Sequence, residues 1–189
     1  MLNELGSART AIERAGYGAV EVRGHFRLGA AFAIGAELSR TAKFELATRQ
    51  NGETWGTAGE RNQVPLSVSA HDVGQGGDVA ICLSISRDIA DDVLSYIKTA
   101  ALPVAKVLAI APQAGPGWAS LTGAADARGV AEATVLQAGK AGSPGLHVFL
   151  CTPDALALML GHGWNRVPET QLYEDTNPGY QPTFRFGKR

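Results

Sequence analysis

The sequence predicts an α/β fold with a mainly parallel sheet and helices on its faces. Apolar runs with strand-like alternation repeatedly precede segments of about 10–15 residues with helical spacing, which is the order typical of βαβ units. The stretch LHVFLCTPDALALMLGHGWN (146–165) joins an apolar strand to a helix that is apolar on nearly every face. A helix of this composition fits between two layers, because both of its sides are then buried.

Alternation predicts the individual strands, and helical spacing predicts the helices. Ile89, Val93 and Ile97 recur at every fourth position and define one helical face, with Ser86 as the candidate N-cap. Pro153 suits the first position of the last helix after a Thr152 cap, because a missing N–H costs nothing there. The predicted strands are 18–26, 43–49, 64–73, 78–86, 103–112, 146–151, 170–176 and 180–186; the predicted helices are 28–41, 87–100, 122–142 and the segment after Pro153, with turn residues around Trp55 and a flexible connection at 74–77.

Composition and charge exclude several classes of protein. A hydrophobic content of 45% with 19% charged residues is that of a globular domain, and a net charge of −1 gives no general attraction for DNA or acidic membranes. Cys82 and Cys151 both lie in apolar runs, so we expect free thiols in a reducing compartment. The N-terminus has no signal-peptide pattern, and no run approaches the roughly 20 apolar residues of a membrane helix. We therefore expect a soluble, cytoplasmic protein without direct nucleic-acid or membrane binding.

The familiar catalytic and cofactor motifs are missing from the sequence. GPGWAS (115–120) has a serine where a dinucleotide fingerprint has its third glycine, and it follows the second strand of its unit. The phosphate-binding pattern G-x-x-x-x-G-K-[ST] and the nucleophile pattern G-x-S-x-G do not occur. The four histidines show no metal-ligand spacing. We therefore predict a protein that is not an enzyme and has neither cofactor nor metal.

Ligands of open α/β sheets bind beyond the carboxyl ends of the strands, and three such ends are candidates here. They are SISRD (84–88), APQAGPGW (111–118) and CTPD (151–154). The acidic residues that follow SISR suit the helix dipole and would repel a phosphate placed there. The loop 115–120 is about as consistent with a plain turn as with a ligand contact.

Three segments together resemble the SAVED domains, the sensor modules of bacterial effectors in cyclic-oligonucleotide-based anti-phage defence (CBASS). Residues 146–165, followed by TQLYEDTNPGYQPTFRF (170–186), are similar to the C-terminal signature of that family. VEVRGHFRLGAAFAIGAELSRTAKFELATRQNGETW (20–55) and VAICLSISRDIADDVLSYI (79–97) are similar to its earlier parts. The resemblance spans most of the chain and depends on the order of these segments.

This resemblance implies two fused Rossmann-like halves related to the CARF sensors, with 18–77 as a degenerate first half and 78–189 as the fuller second half of one sensor domain, 1–189. It also implies binding of a cyclic di- or trinucleotide, assembly into a homo-oligomer and activation of a fused effector that acts on DNA. The short chain favours the HNH endonuclease-linked type, and hence a cyclic dinucleotide such as a cGAMP isomer. No effector signature occurs, so we expect an excised sensor. The alternative is a Rossmann-like enzyme that uses a nucleotide cofactor.

The predicted ligand contacts come mainly from the strand ends. A loop tryptophan can stack on a base, contributing about 1–3 kcal/mol; arginine can pair a phosphate, and a threonine hydroxyl can bond a base edge. For three of these positions the alternatives stay open, because Ser86 could only cap its helix, and Trp118 and Trp55 could only cover the edge of the core. The candidates are Trp118, Gln113, Ala114, Gly115, Thr152, Pro153, Ser84, Ser86, Arg87, Arg40 and Trp55.

Overall fold

The computed structural model of this chain describes residues 2–187. It contains five α-helices and nine strands in the described part of the chain. The helices are α1 (Leu2–Arg14), α2 (Leu28–Glu37), α3 (Ala90–Thr99), α4 (Ala124–Lys140) and α5 (Asp154–Gly163), and a 3-10 turn, Arg40–Ala42, follows α2. The strands are β1 (Ala19–Val22), β2 (Glu45–Gln50), β3 (Glu53–Gly56), β4 (Leu66–Asp72), β5 (Asp78–Ser84), β6 (Val104–Pro112), β7 (Gly145–Cys151), β8 (Glu169–Asp175) and β9 (Tyr180–Phe186).

The strands form two sheets with a layer of helices between them. One sheet has the order β1-β2-β3 and the other the order β4-β6-β5-β7-β8-β9. Helices α2, α4 and α5 pack between these sheets, and α3 covers the opposite face of the six-stranded sheet. In β5, Ile81 and Leu83 point into the layer between the sheets, whereas Ala80 and Cys82 point towards α3. Residues 155–162 of α5 are all buried, as predicted for a helix enclosed on both sides.

The sheets are mixed, and the prediction of mainly parallel sheets is not confirmed. In the small sheet β1 and β2 are parallel but β2 and β3 are antiparallel. In the large sheet the three central pairs are parallel, while β4 and β9 pair antiparallel at the two edges. The physical reason is loop length, since the short turns that join β2 to β3 and β8 to β9 allow a hairpin but no crossover.

Two elements were not predicted at all. Helix α1 packs on α2, partly through an ion pair of 2.9 Å between Arg9 and Glu37. Strand β3 lies in the segment that was predicted as turn around Trp55. The turn itself is only Asn51-Gly52, and both residues have positive φ (50° and 83°), as a two-residue hairpin turn requires.

The boundary between the sheets differs from the predicted boundary between residues 77 and 78. Strand β4 pairs with β6 along its whole length, so 66–72 belongs to the large sheet. The connection before β4 is held against α4, because Arg128 donates hydrogen bonds to the carbonyl oxygens of Gly56 (2.7 Å) and Glu60 (2.6 Å). The division into two halves therefore remains a prediction, while the sheets divide the chain near residue 60.

Helices α2 and α5 cross in direct backbone contact, and a glycine makes this possible on each side. A Cβ built on Gly35 would overlap the carbonyl oxygen of Leu158 and lie 2.8 Å from the nitrogen of His162. A Cβ built on Gly161 would overlap the carbonyl oxygen of Phe32 and lie 2.9 Å from the nitrogen of Ala36. No larger residue fits at either glycine without moving the helices apart.

These contacts are reciprocal and reveal an approximate two-fold relation inside the chain. Each glycine is the eighth residue of its helix, and adding 126 to the numbers 32, 35 and 36 gives 158, 161 and 162. The surrounding strands obey the same relation, because β1-α2-β2-β3 and β7-α5-β8-β9 share the order of a strand, a helix, a parallel strand and an antiparallel strand. The two helices therefore cross on the axis that relates the two sheets.

Candidate functional site

The loops that follow β5, β6 and β7 meet at the carboxyl edge of the large sheet. The nitrogens of Ile85 and Ser86 both donate to the carbonyl oxygen of Cys151, each over 2.9 Å. The nitrogen of Gly117 donates to the carbonyl oxygen of Ile85 over 2.8 Å. The three strand ends that were predicted to share one site are thus joined by backbone hydrogen bonds.

The first turns of α2 and α5 lie at this same edge. Gly29 N donates to the Glu174 carboxylate at the end of β8 (2.9 Å), and Ala155 N approaches the Gln50 amide oxygen at the end of β2 (3.4 Å). Each helix start is therefore bonded by a side chain from the end of the other sheet's second strand. Because β1 is parallel to β2 and β7 to β8, the carboxyl edges of both sheets converge around the two-fold axis.

The loop after β6 carries the most exposed aromatic side chain reported for the described residues. Trp118 is 95% exposed, whereas Trp164 is 1% exposed and lies against Phe32 in the core. Gln113 and Ala114 are also exposed. Gly115 has a φ of 92°, and its carbonyl oxygen accepts a hydrogen bond from Ser120 Oγ at 3.1 Å, which fixes the loop from within. Trp118 is thus free to contact a ligand or another molecule.

The turn after β7 differs from its predicted geometry. Thr152 does not cap α5, because Pro153 occupies the N-cap position and the Thr152 hydroxyl donates to the Pro153 carbonyl oxygen over 3.0 Å. The Asp154 carboxylate accepts the hydrogen bond from Ala155 N at 2.9 Å. This negative charge covers the start of α5, where it complements the helix dipole and disfavours a phosphate.

The two predicted serines have structural surroundings of different kinds. Ser84 is 2% exposed; its hydroxyl accepts a hydrogen bond from Ile89 N (3.2 Å) and donates to Asp88 (3.4 Å). Ser86 is not the N-cap of α3, because that helix begins at Ala90, whose nitrogen is bonded by Asp88 at 2.9 Å. Ser84 therefore supports the turn from below, and Ser86 lies half-buried in the loop itself.

Of three further predicted contacts, one is paired with carboxylates, one is buried and one lies away from this edge. Arg87 forms ion pairs with Asp92 (3.0 Å) and Asp175 (3.3 Å) and lines a cleft beside α3. Trp55 is 6% exposed in the core between the sheets and offers no face to a base. Arg40 lies in a cleft beside the C-terminal end of α5, about 15 Å from Pro153 along that ten-residue helix. These surroundings do not favour ligand contacts at the three residues, and their predicted roles remain predictions.

The first turn of α2 forms one wall of the site, and this wall was not predicted from the sequence. By the offset of 126, residues 25–28 correspond to 151–154, and Gly29 corresponds to Ala155. Gln50 and Glu174, which bond the two helix starts, were missed as well. The available signal was the shared position of Gly35 and Gly161 in two helices of equal length.

The chemistry of the buried groups is that of a structural framework. Both cysteines are free thiols, and burial raises the pKa of Cys82 to about 12, so its reactive thiolate is disfavoured at neutral pH. Within residues 2–187, no group of three or more His, Cys, Asp and Glu side chains is arranged to hold a metal ion. Among the described helices, none has the length and apolar character needed to cross a bilayer.

The fold and the converging strand ends define an α/β ligand-binding domain. The family model of the SAVED sensor domain ("SMODS-associated and fused to various effectors sensor domain") matches residues 3–186, so the chain belongs to the SAVED family. Its fold is similar to the Cap4 SAVED/CARF-domain containing receptor of Acinetobacter baumannii solved with the cyclic trinucleotide 2′3′3′-cAAA (TM-score 0.81, 18% identity, 98% of this chain and 42% of that one). It is also similar to the Cap4 receptor of Moraxella osloensis (TM-score 0.78, 18% identity, 97% of this chain and 40% of that one).

A relative among the characterised proteins is CD-NTase-associated protein 4 of Enterobacter hormaechei, which is 24% identical over 145 residues. That match covers 72% of this chain and 29% of the relative. The chain therefore spans less than half the length of the relatives it matches. The predicted membership of a CBASS-type SAVED sensor is confirmed at the level of the family.

Proposed function

We propose that this chain binds a cyclic oligonucleotide at the joint carboxyl edges of its two sheets. The observation that carries the proposal is the convergence of three strand-end loops and two helix starts around the internal two-fold axis. The exposed Trp118 and the amide of Gln113 are the groups available there for base faces and base edges. The Acinetobacter baumannii receptor was solved with two cyclic trinucleotides, 2′3′3′-cAAA and 3′3′3′-cAAA, which supports this ligand class.

Two arguments about the ring size of the ligand point in opposite directions. The short chain favoured a cyclic dinucleotide, whereas the Acinetobacter baumannii receptor was solved with cyclic trinucleotides. We propose the broader class, a cyclic di- or trinucleotide, and keep the cyclic dinucleotide as the narrower prediction. Binding would then drive self-assembly and switch on a fused nuclease that acts on DNA, with HNH as the expected type.

Calorimetric titration with a panel of cyclic di- and trinucleotides tests this proposal, with NAD as the cofactor of the competing enzyme hypothesis. We expect tight binding of one cyclic compound and none of NAD. Trp118→Ala should weaken binding roughly tenfold or more, since stacking contributes about 1–3 kcal/mol per base. Tyr17→Ala is the matched control, because Tyr17 is also an exposed aromatic side chain (67%) but lies in the connection between α1 and β1.

The outcomes separate the ligand from the location of its site. If both variants bind the compound as tightly as the natural chain, the sensor hypothesis stands and Trp118 is not part of the pocket. Binding of NAD without any cyclic compound would overturn the sensor in favour of an enzyme with a nucleotide cofactor. Light scattering with and without the bound compound then tests self-assembly, and an unchanged molecular mass would contradict it.

A further inference from the structure

A second cleft lies at the C-terminal end of α5, whereas the proposed nucleotide site lies at the start of that helix. It has a volume of about 130 Å³ and opens between α4, the C-terminal end of α5 and the connection that follows β3. Three arginines line it, Arg40, Arg61 and Arg128, together with Glu132 and His162. The arginines come from three separate segments of the chain, so only the folded structure brings them together.

One of these arginines is fixed in place before any ligand binds. Arg128 donates from Nε to the Glu60 carbonyl oxygen (2.6 Å) and from Nη1 to the Gly56 carbonyl oxygen (2.7 Å). Its Nη2 has no hydrogen-bond partner among the described residues, and neither has the guanidinium of Arg40. A guanidinium held by two main-chain carbonyls keeps its remaining N–H groups pointed in a defined direction, which lowers the entropic cost of binding an oxyanion.

The charges of the cleft leave two positive groups unbalanced. Arg61 pairs with Glu132 over 2.9 Å, so these two charges cancel. The Nδ1 of His162 lies 2.8 Å from the Leu38 carbonyl oxygen and donates to it, which leaves Nε2 as an acceptor when the ring is neutral. Burial lowers the pKa of His162, so the ring is neutral at pH 7. Arg40 and Arg128 therefore give the lining a net charge of about +2.

The same cleft also has an apolar side. Ala131 and Val135 of α4 and Met159 of α5 line it next to the arginines. An inorganic ion would leave this surface uncovered, whereas an organic group attached to the anion would bury it, at about 25 cal/mol per Å². The lining thus combines a site for a doubly charged oxyanion with a surface for a small organic group.

We propose that this cleft binds a small organic phosphate monoester, with the phosphate between Arg40 and Arg128 and the organic group against Ala131, Val135 and Met159. A phosphate monoester carries close to two negative charges at neutral pH, which matches the unbalanced pair of guanidiniums. The site is separate from the proposed nucleotide pocket, because α5 places about 15 Å of helix between them. Arg40, which was predicted to contact the cyclic ligand, belongs to this second site.

Calorimetric titration of the intact chain with phenyl phosphate, inorganic phosphate and benzoate tests the proposal. We expect saturable binding of phenyl phosphate, weaker binding of inorganic phosphate because the apolar side stays uncovered, and weaker binding of benzoate because it has one charge. Arg40→Ala should weaken the binding of phenyl phosphate by roughly tenfold or more, as expected for loss of a charged hydrogen-bond donor. Arg14→Ala, at the exposed end of α1, is the matched control and should leave it unchanged.

A second variant keeps the test independent of any loss of folding. Glu132→Gln removes the carboxylate that occupies Arg61, and this exposed ion pair contributes little to stability. We expect the variant to bind phenyl phosphate more tightly than the natural chain, which a destabilised protein would not do. Unchanged binding in both Arg40→Ala and Glu132→Gln, or no saturable binding at all, would overturn the proposal.

The proposals for the second site and for the nucleotide pocket can be refuted independently of each other. Titrations with phenyl phosphate are repeated in the presence of a saturating cyclic oligonucleotide that the panel has identified. Binding of both compounds together supports two sites. Mutual exclusion, with cyclic-nucleotide binding also lost in Arg40→Ala, would make this cleft the nucleotide site and overturn the second one. Failure of every cyclic compound to bind would leave the phosphate measurement interpretable by itself.

Discussion

Replacement of Gly35 by alanine should destabilise this protein by about 3 kcal/mol, the upper end of the usual cost of an added methyl group in a well-packed core, although alanine is the better helix former. The new Cβ would lie 2.8 Å from His162 N and overlap the Leu158 carbonyl oxygen, both of which are backbone atoms. Ordinary contact begins near 3.4 Å, so the helices must separate by more than the difference of about 0.6 Å. A gap of about 0.5–1 Å forfeits a quarter to a half of the dispersion energy of the facing atoms. This loss exceeds the roughly 1 kcal/mol that alanine gains in helix propensity.

Urea denaturation followed by circular dichroism measures this effect. With a slope of about 2 kcal/mol per M, the midpoint of the variant should fall by roughly 1.5 M. Gly6→Ala in α1 is the control, because its Cβ would meet only the flexible Glu37 carboxylate at 3.7 Å and should stabilise the helix slightly. Gly35→Ala combined with Gly161→Ala should cost less than the sum of the two, since one separation of the helices relieves both. A Gly35→Ala variant as stable as Gly6→Ala would refute the close helix crossing.

Two further predictions concern the dependence of stability on pH. Burial raises the pKa of Cys82 to about 12 and that of Tyr173 to about 12, so their contribution is complete below about pH 9 and is lost as the pH rises towards about 12. Urea denaturation at increasing alkaline pH should show this decline, and Tyr173→Phe should flatten it; an equal slope in the variant would contradict the assignment. Burial lowers the pKa of His162, so its contribution is present above about pH 6.5 and is lost as the pH falls through the lower, folded-state value. His162→Asn retains a donor for the Leu38 carbonyl oxygen and should reduce the acid slope; equal slopes would show that other groups cause it.

The central strands could be predicted because their environment is uniform. Strand β5 alternates between two buried faces and was predicted to within two residues, and β6 to within one. The direction of the edge strands could not be predicted from alternation alone, because a strand has the same pattern in parallel and antiparallel pairs. The two-residue turn Asn51-Gly52 did carry the missing information, since so short a connection forces a hairpin.

The location of the site was predictable, but the direction of individual side chains was not. Strand ends of parallel pairs meet at one edge by topology alone, so 84–88, 111–118 and 151–154 could be grouped from the sequence. The Arg87 guanidinium, in contrast, forms an ion pair with Asp175, which lies 88 residues further along the chain. Burial of Trp55 depends on helices that pack on it from later segments. The local spacing of residues in the sequence contains no information about such long-range partners.

The internal two-fold relation also explains why half of the proposed pocket stayed hidden in the sequence. The two-fold relation holds for the backbone, including the helix crossing, whereas the side chains at related positions differ. Arg27 corresponds to Pro153, and Leu28 to Asp154. The first turn of α2 has no acidic residue, whereas that of α5 begins with a carboxylate. The Glu174 carboxylate bonds Gly29 N at the start of α2, so each helix start carries one carboxylate, supplied by a different part of the chain. A nearly symmetric backbone thus carries different side chains at related positions, with the carboxylate local in α5 and 145 residues away in α2, so the start of α2 had no matching signal in the sequence.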